Sequence, residues 1–269
     1  MIKAYLYDAQ GRDREVSLPE QGLPSLEEHQ LLWIDVTGRE PAEIDRLAAA
    51  LELKSRSSEA LKQGARTFTL ANYGDYIHFD VAAIDGKDRS SASSLKLTRS
   101  TRLDIAVGAT WLLTVHDRPL SFLDDFREQD RGETLIGALT PSALAASLMD
   151  WHLETYLGAL EDVEAFADRV DVRLLSGSNV RDDLLNELVA GRRFISSLRR
   201  SLSPQRSIFY GLCRPDIALI ADTEALAAYK ELERRFERVL DSIEHGRDLV
   251  QSSFDLFTTR TAETTNGCA

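Results

Sequence analysis

Hydrophobic positions recur with two different periods along this chain, and the change falls near residues 130–140. Before it, apolar residues alternate with polar ones or gather in short dense runs, as strands require; after it, they repeat with helical spacing. Residues 2–7 alternate as a half-buried strand, and Leu31-Leu32-Trp33-Ile34-Asp35-Val36 is dense enough for a buried one. Thr37-Gly38 breaks that run. Pro41 then suits the first turn of a helix to about Leu53, with Ile44, Leu47 and Leu51 facing inward. A short helix follows over 57–63, then β-rich stretches over 67–71, 76–84 and 94–98. The turn Asp85-Gly86-Lys87-Asp88 separates the last two of these stretches. Strands over 103–107 and 111–115, joined at Gly108, and a helix over 120–129 complete this half. Hairpin-spaced strands with few helices predict a mixed sheet covered by helices, not a regular βαβ winding.

The second half is helical throughout. Thr140-Pro141 is a cap and first-turn pair, and the helical pattern then continues to about Leu175. Ser176-Gly177-Ser178-Asn179 stops it, and Asn179 can cap a second helix that runs towards Pro204. A short loop between long helices predicts an antiparallel hairpin. Its first arm is acidic (Glu161, Asp162, Glu164, Asp168) and its second basic (Arg192, Arg193, Arg199, Arg200), so the arms should attract. From Ala221 to Asn266 no proline occurs, and Tyr229, Phe236, Ile243, Val250 and Phe257 recur every seven residues. As one helix that stretch would be roughly 70 Å long at about 1.5 Å per residue. Its seam lacks a knob at Gly246 and Ser253, which predicts packing on the hairpin arms and not a self-sufficient coiled coil. The fold class is α+β. An α/β sandwich domain over 1–135 precedes a long-helix region over 136–269, with the hairpin at about 140–206 and a stalk helix at about 221–266.

Composition narrows the function by exclusion. The 269 residues carry a formal charge of −12, against the basic face expected of a nucleic-acid binder. Two distant cysteines, Cys213 and Cys268, read as reduced thiols of an intracellular protein. Neither a signal peptide nor an apolar run of about 20 residues is visible, so the polypeptide as given reads as soluble. Nucleophile elbows, phosphate loops, zinc-protease helices and paired-cysteine motifs are all missing, and the reading is that of a non-enzyme. Asp35 inside an apolar strand suits either a catalytic acid with a raised pKa or a strand-end cap for a nearby turn. His116-Asp117 resembles the metal pair of a phosphohydrolase, without the accompanying histidines on helices. Acidic groups at Asp85 and Asp88, and at Glu231 and Glu233, offer hard oxygen ligands of the kind that hold a hydrated Mg²⁺. Spacing alone also suits a solvated surface.

Several stretches together resemble the CorA family of divalent-cation transporters, in its cytoplasmic part. Leu32-Trp33-Ile34-Asp35-Val36 is similar to the family's early W-[IV]-D strand, and Leu112-Leu113-Thr114-Val115-His116 to its last sheet strand. Leu198-Arg199-Arg200-Ser201-Leu202-Ser203-Pro204-Gln205-Arg206 resembles the segment before the long helix. Gly246-Arg247-Asp248, Phe254-Asp255-Leu256-Phe257 and Thr265-Asn266 resemble the approach to the first membrane span. The transmembrane segments and their G-M-N signature are absent, and Lys54-Ser55-Arg56-Ser57-Ser58-Glu59-Ala60 replaces the family's H-P-L-[AS]-x-E-D segment.

The resemblance implies a cation-sensing and gating domain on the cytoplasmic side of the inner membrane, attached through missing C-terminal spans and assembled as a homopentamer. Cations between neighbouring subunits would hold the pore closed. Alignment on Thr265-Asn266 puts the sensing acid at Glu231, with its partner at Asp85 or Asp88, and places Asp255 and Asn266 at the funnel and pore mouth. The ion would be Mg²⁺, with Co²⁺ and Ni²⁺ as further candidates. Pro204-Gln205-Arg206 also occurs in the zinc-carrying ZntB branch, so Zn²⁺ is the alternative. A soluble scaffold of the same fold, without transport, is the reading from another class.

Overall fold

A computed structural model describes residues 1–10, 13–19, 22–64, 67–85, 95, 100–129, 140–176, 181–221 and 223–266. The strands are β1 (Ile2–Asp8), β2 (Arg14–Glu15), β3 (Gln30–Thr37), β4 (Leu70–Asn72), β5 (Tyr76–Ile84), β6 (Ser100–Gly108) and β7 (Trp111–His116). They form one sheet in the order β2-β1-β3-β7-β6-β5-β4. β3 and β7 run parallel, while the other neighbours are antiparallel. The turn at Gly108 is close: a Cβ there would overlap the Trp111 ring. The strand expected over 94–98 and the turn residues Gly86 to Asp88 lie outside the described residues, Leu95 apart.

Helices cover both faces, which is why the central strands read as continuous apolar runs. Side chains alternate across the pleat. Leu32, Ile34 and Val36 meet α1 (Pro41–Ala50) and α2 (Ser55–Gln63) through Ile44, Leu47 and Leu61. Trp33 faces the other way, with Ile77, Phe79 and Ile105, towards α3 (Ser121–Gln129) and α4 (Pro141–Leu175). Thr140 caps α4 through a hydrogen bond accepted from the Ala143 amide at 3.2 Å.

α4 and α5 (Arg181–Leu202) form the antiparallel hairpin: Arg173 meets Glu187 near the tip, and Tyr156 meets Ser201 near the base. The proposed cap Asn179 lies outside the described residues. A 3-10 turn (Ser203–Gln205), α6 (Arg206–Leu212) and α7 (Ala218–Ala221) lead to the 42-residue α8 (Ala225–Asn266). α8 begins four residues later than the periodicity predicts, where the Thr223 hydroxyl accepts from the Ala225 amide.

All five heptad residues of α8, together with Leu232 and Val239, are buried. They face the chain's own helices: Phe236 stacks on Phe209 of α6 at 4.4 Å, and the Tyr229 hydroxyl donates to the Ser142 carbonyl of α4. The missing knob at Gly246 is where both arms close in, since a Cβ would lie 3.2 Å from Ile195 and 3.3 Å from Leu160. Ser253 is likewise buried. The charge pattern acts differently from the simple attraction of arm for arm. Acids of α4 pair with α8 (Asp150 and Glu154 with Arg235), and a basic residue of α5 pairs with α8 (Arg199 with Glu244). Among the described residues the pair that joins the arms, Arg173–Glu187, has the opposite polarity to the arms as a whole.

Candidate functional site

Glu231 lies on the second turn of α8, at the rim of a groove of about 860 Å³ between α4 and α8. Phe126, Trp151, Leu232 and Arg235 are among its lining residues. Helical spacing brings Arg234 and Arg238 to the same face as Glu231. One carboxylate oxygen accepts from Arg234 at 2.6 Å and the other from Arg238 at 2.8 Å. Hydrogen bonds from Arg238 and Arg234 hold the carboxyl below the usual carboxylate range. The group is therefore ionised at neutral pH, with both oxygens already engaged.

Asp85 follows the last residue of β5 and accepts from the Ser121 hydroxyl at the start of α3 at 2.6 Å. Asp88 lies outside the described residues. Asp255 sits far along α8, accepting from Gln251 at 2.9 Å, and Asn266 is the last residue of that helix. The sequence-derived acids are thus spread over three places: the end of β5, the first turns of α8 and its last turns. Among the described residues no three His, Cys, Asp or Glu side chains come together as a metal-binding group. Asp85 and Glu231 supply hard carboxylate oxygens that suit a hydrated Mg²⁺, but an ion at Glu231 has to compete with the guanidinium groups of Arg234 and Arg238.

The densest polar chemistry is inside the sheet, where pattern alone pointed at Asp35 and, separately, at His116-Asp117. Its carboxylate accepts from Thr114 at 2.6 Å, Arg127 at 2.9 Å and His116 at 3.1 Å. Burial favours protonation of Asp35. Hydrogen bonds from His116 and Thr114 and the charges of His116 and Arg127 outweigh it, so the carboxyl sits below its ordinary range. This overturns both the raised-pKa acid and the turn cap: Asp35 is the anchor of an internal ion-pair cluster. His116 is held on its other nitrogen by the Arg118 carbonyl, and Asp117 pairs outside with Arg39, so neither forms a metal pair.

A second cluster runs from Ser57 to His78 at 2.7 Å, His78 to Asp104 at 3.0 Å and Asp104 to Arg39 at 2.7 Å. The Ser57 and His78 pairing has the members of a hydrolase relay, yet Ser57 is fully buried and out of reach of a substrate. Sequence reasoning missed this cluster, because no local signal links residues on α2, β5 and β6.

Pro204-Gln205-Arg206 also proves structural. Gln205 is fully buried and donates to the Ala82 carbonyl of β5 at 3.1 Å and the Ser201 carbonyl at 2.9 Å, while its oxygen meets His152 of α4 at 3.1 Å. Burial pushes His152 down to about 4, which leaves it neutral and leaves Nε2–H as donor to Gln205. One side chain therefore ties the hairpin to the sheet.

No described helix is long and apolar enough to cross a membrane. No curated protein sequence matches the chain. Solved structures do. The full-length CmaX protein superposes with a TM-score of 0.79 at 19% identity, over 99% of this chain and 79% of that one. The complete CorA magnesium transporter of Methanocaldococcus jannaschii gives 0.74 at 15% identity, over 98% and 78%. The ZntB cytoplasmic domain of Vibrio parahaemolyticus gives 0.73 at 13% identity, over 97% and 98%. At such identities the likeness establishes the fold. The family model described as CorA-like Mg²⁺ transporter protein matches residues 28–268, nearly the whole sequence, and the chain belongs to that family.

Proposed function

We propose that this chain is the cytoplasmic, cation-responsive part of a membrane transporter for divalent metal ions, with Mg²⁺ as the principal ion. It works as a homo-oligomer, a pentamer by the family resemblance, with α8 as the lever between sensor and gate. The family match over residues 28–268 carries this reading. Regulatory cations bind where Glu231 of one copy approaches Asp85 and Asp88 of the next, while Asp255 and Asn266 belong to the funnel and pore-mouth end of α8. The mechanism is electrostatic: acids facing one another repel until a cation neutralises them, and loss of the cation loosens the interface. The pairs with Arg234 and Arg238 support a low-affinity, easily reversed site, because the ion competes with two guanidinium groups.

Titration of the chain with Mg²⁺ tests this directly. We expect a rise in Tm and in oligomer fraction that Glu231→Ala removes, and that a paired Arg234→Ala and Arg238→Ala change moves to lower Mg²⁺. If Mg²⁺ alters neither Tm nor assembly and Glu231→Ala is silent, the sensing role is wrong. A ZntB cytoplasmic domain shares the fold as well, and a second reading has Zn²⁺ as the transported ion. A parallel Zn²⁺ titration, giving a response at lower concentration than Mg²⁺, would favour it.

A further inference from the structure

Two oppositely charged surfaces of the helical half remain unsatisfied. On the outer face of α4, Glu161, Glu164 and Asp168 are exposed and form no ion pair among the described residues. Their spacing puts like charges three and four residues apart, which costs the helix about 0.2–0.5 kcal/mol per pair in isolation. Across the bundle, α5 and α8 enclose two adjoining hollows of about 180 and 360 Å³, which share Ser196 and Arg247. Arg192, Arg199 and Arg200 line this trough as well. Glu244 engages Arg199 and Arg247, and Asp248 also contacts Arg247. Arg192 and Arg200 form no ion pair among the described residues. The trough thus keeps a net positive charge on a chain whose formal charge is −12.

The two surfaces lie at the same level of the bundle. α4 and α8 run parallel, since Ser142 meets Tyr229, Asp150 meets Arg235, and Leu160 and Val163 flank Gly246. Glu161 to Asp168 are therefore level with the stretch of α8 from Gly246 to about Phe254, which is the wall of the trough. Both span about 10–16 Å at about 1.5 Å per residue. No residue of α4 lines the trough, so it opens on a different side of the chain from the acidic stripe. Val172, 67% exposed, follows the stripe within a turn of the level of Phe254.

We infer that the basic trough between α5 and α8 of one copy receives the acidic outer face of α4 of a second copy. Complementary surfaces at one level on different sides of a chain are what a ring of parallel copies requires, because such a heterologous contact repeats and can close. The inference rests on the homo-oligomeric reading above and adds the faces that meet. Charged contacts of this kind set orientation and partner choice more than affinity. The association is accordingly salt-sensitive.

Sedimentation of the 269-residue chain tests this, with near-unchanged Tm and far-UV circular dichroism as the check on folding. The wild type should self-associate at low ionic strength and lose affinity about tenfold in roughly 0.5 M salt, where the Debye length is only about 4 Å. A stripe-reversed variant (Glu161→Lys, Glu164→Lys, Asp168→Lys) and a trough-reversed variant (Arg192→Glu, Arg200→Glu) should each be monomeric alone. Mixed in equal amounts, they should associate again into pairs and alternating chains, because the stripe of each then meets the complementary trough of the other. Association that survives both reversals, or a mixture that stays monomeric, overturns these faces and leaves the homo-oligomeric reading standing. A wild type that is monomeric at every concentration overturns both. Mg²⁺ calorimetry on the same samples decides cation binding separately.

Discussion

The sheet half and the helical half handle charge in opposite ways. In the sheet, Asp35, Asp104, His78 and His116 are almost wholly removed from water and linked into short chains of hydrogen bonds. In the helical half, pairs such as Arg234–Glu231, Arg199–Glu244 and Arg206–Glu237 keep much of their surface in solvent. A buried pair must be complete, because a lone charge left behind has no water to replace its partner. An exposed pair can be broken and remade at little cost. The sheet thus keeps its charges internal and mutually satisfied, whereas the helical half keeps its charges at the surface.

Substitutions can break this contrast. Asp35→Ala would strand Arg127 and His116 inside the protein and should destabilise the fold by about 3–5 kcal/mol, measured by denaturant unfolding. Because Asp35 is held below its ordinary range, its stabilisation is present at neutral pH and is lost as pH falls through its folded-state value. Asp35→Asn should accordingly show a flatter stability profile than the wild type below about pH 4.

The join between the halves comes next. Gln205→Ala removes the acceptor of His152 and one donor to the Ala82 carbonyl, and we expect a loss of about 1–3 kcal/mol. Gln205→Met retains much of the volume and separates the hydrogen bonds from the cavity. If Met restores full stability, the polar link is dispensable.

Arg235→Ala gives the smallest effect. It removes the pairs with Asp150 and Glu154 at the edge of the α4–α8 groove, and it should cost about 1 kcal/mol or less, with a further decrease in high salt. A loss as large as that of Asp35→Ala would erase the distinction between the two halves.

Legibility in the sequence followed the same division. The seven-residue recurrence of α8 predicted which of its residues would be buried, and Thr140-Pro141 predicted the start of α4, because these signals are carried by residues close in sequence. The gaps at Gly246 and Ser253 were legible as weak points of a coiled coil; the arms of the same chain close in on Gly246, and Ser253 is buried. Asp35 stood out as an anomaly, but its meaning did not. Its three partners come from β7 and α3, and only their arrival turns a costly buried acid into a stabilised one.

Gln205 and Glu231 divide in the same way. Gln205 belonged to a recognisable segment, while its work as a tie to β5 and α4 depends on residues far away in the chain. The resemblance singled out Glu231 as a candidate, but that two arginines occupy its carboxylate follows from side-chain geometry along α8.

What the sequence determined by itself was the sequence-local physics: apolar period, caps, breakers and element lengths, and hence a mixed sheet, a hairpin and one very long helix. Tertiary structure alone decided which charges are buried together, which face of each helix is left exposed, and that α8 takes the charges of both arms. Those outcomes depend on distances between residues remote in sequence, and on the dielectric each charge meets once the chain has folded.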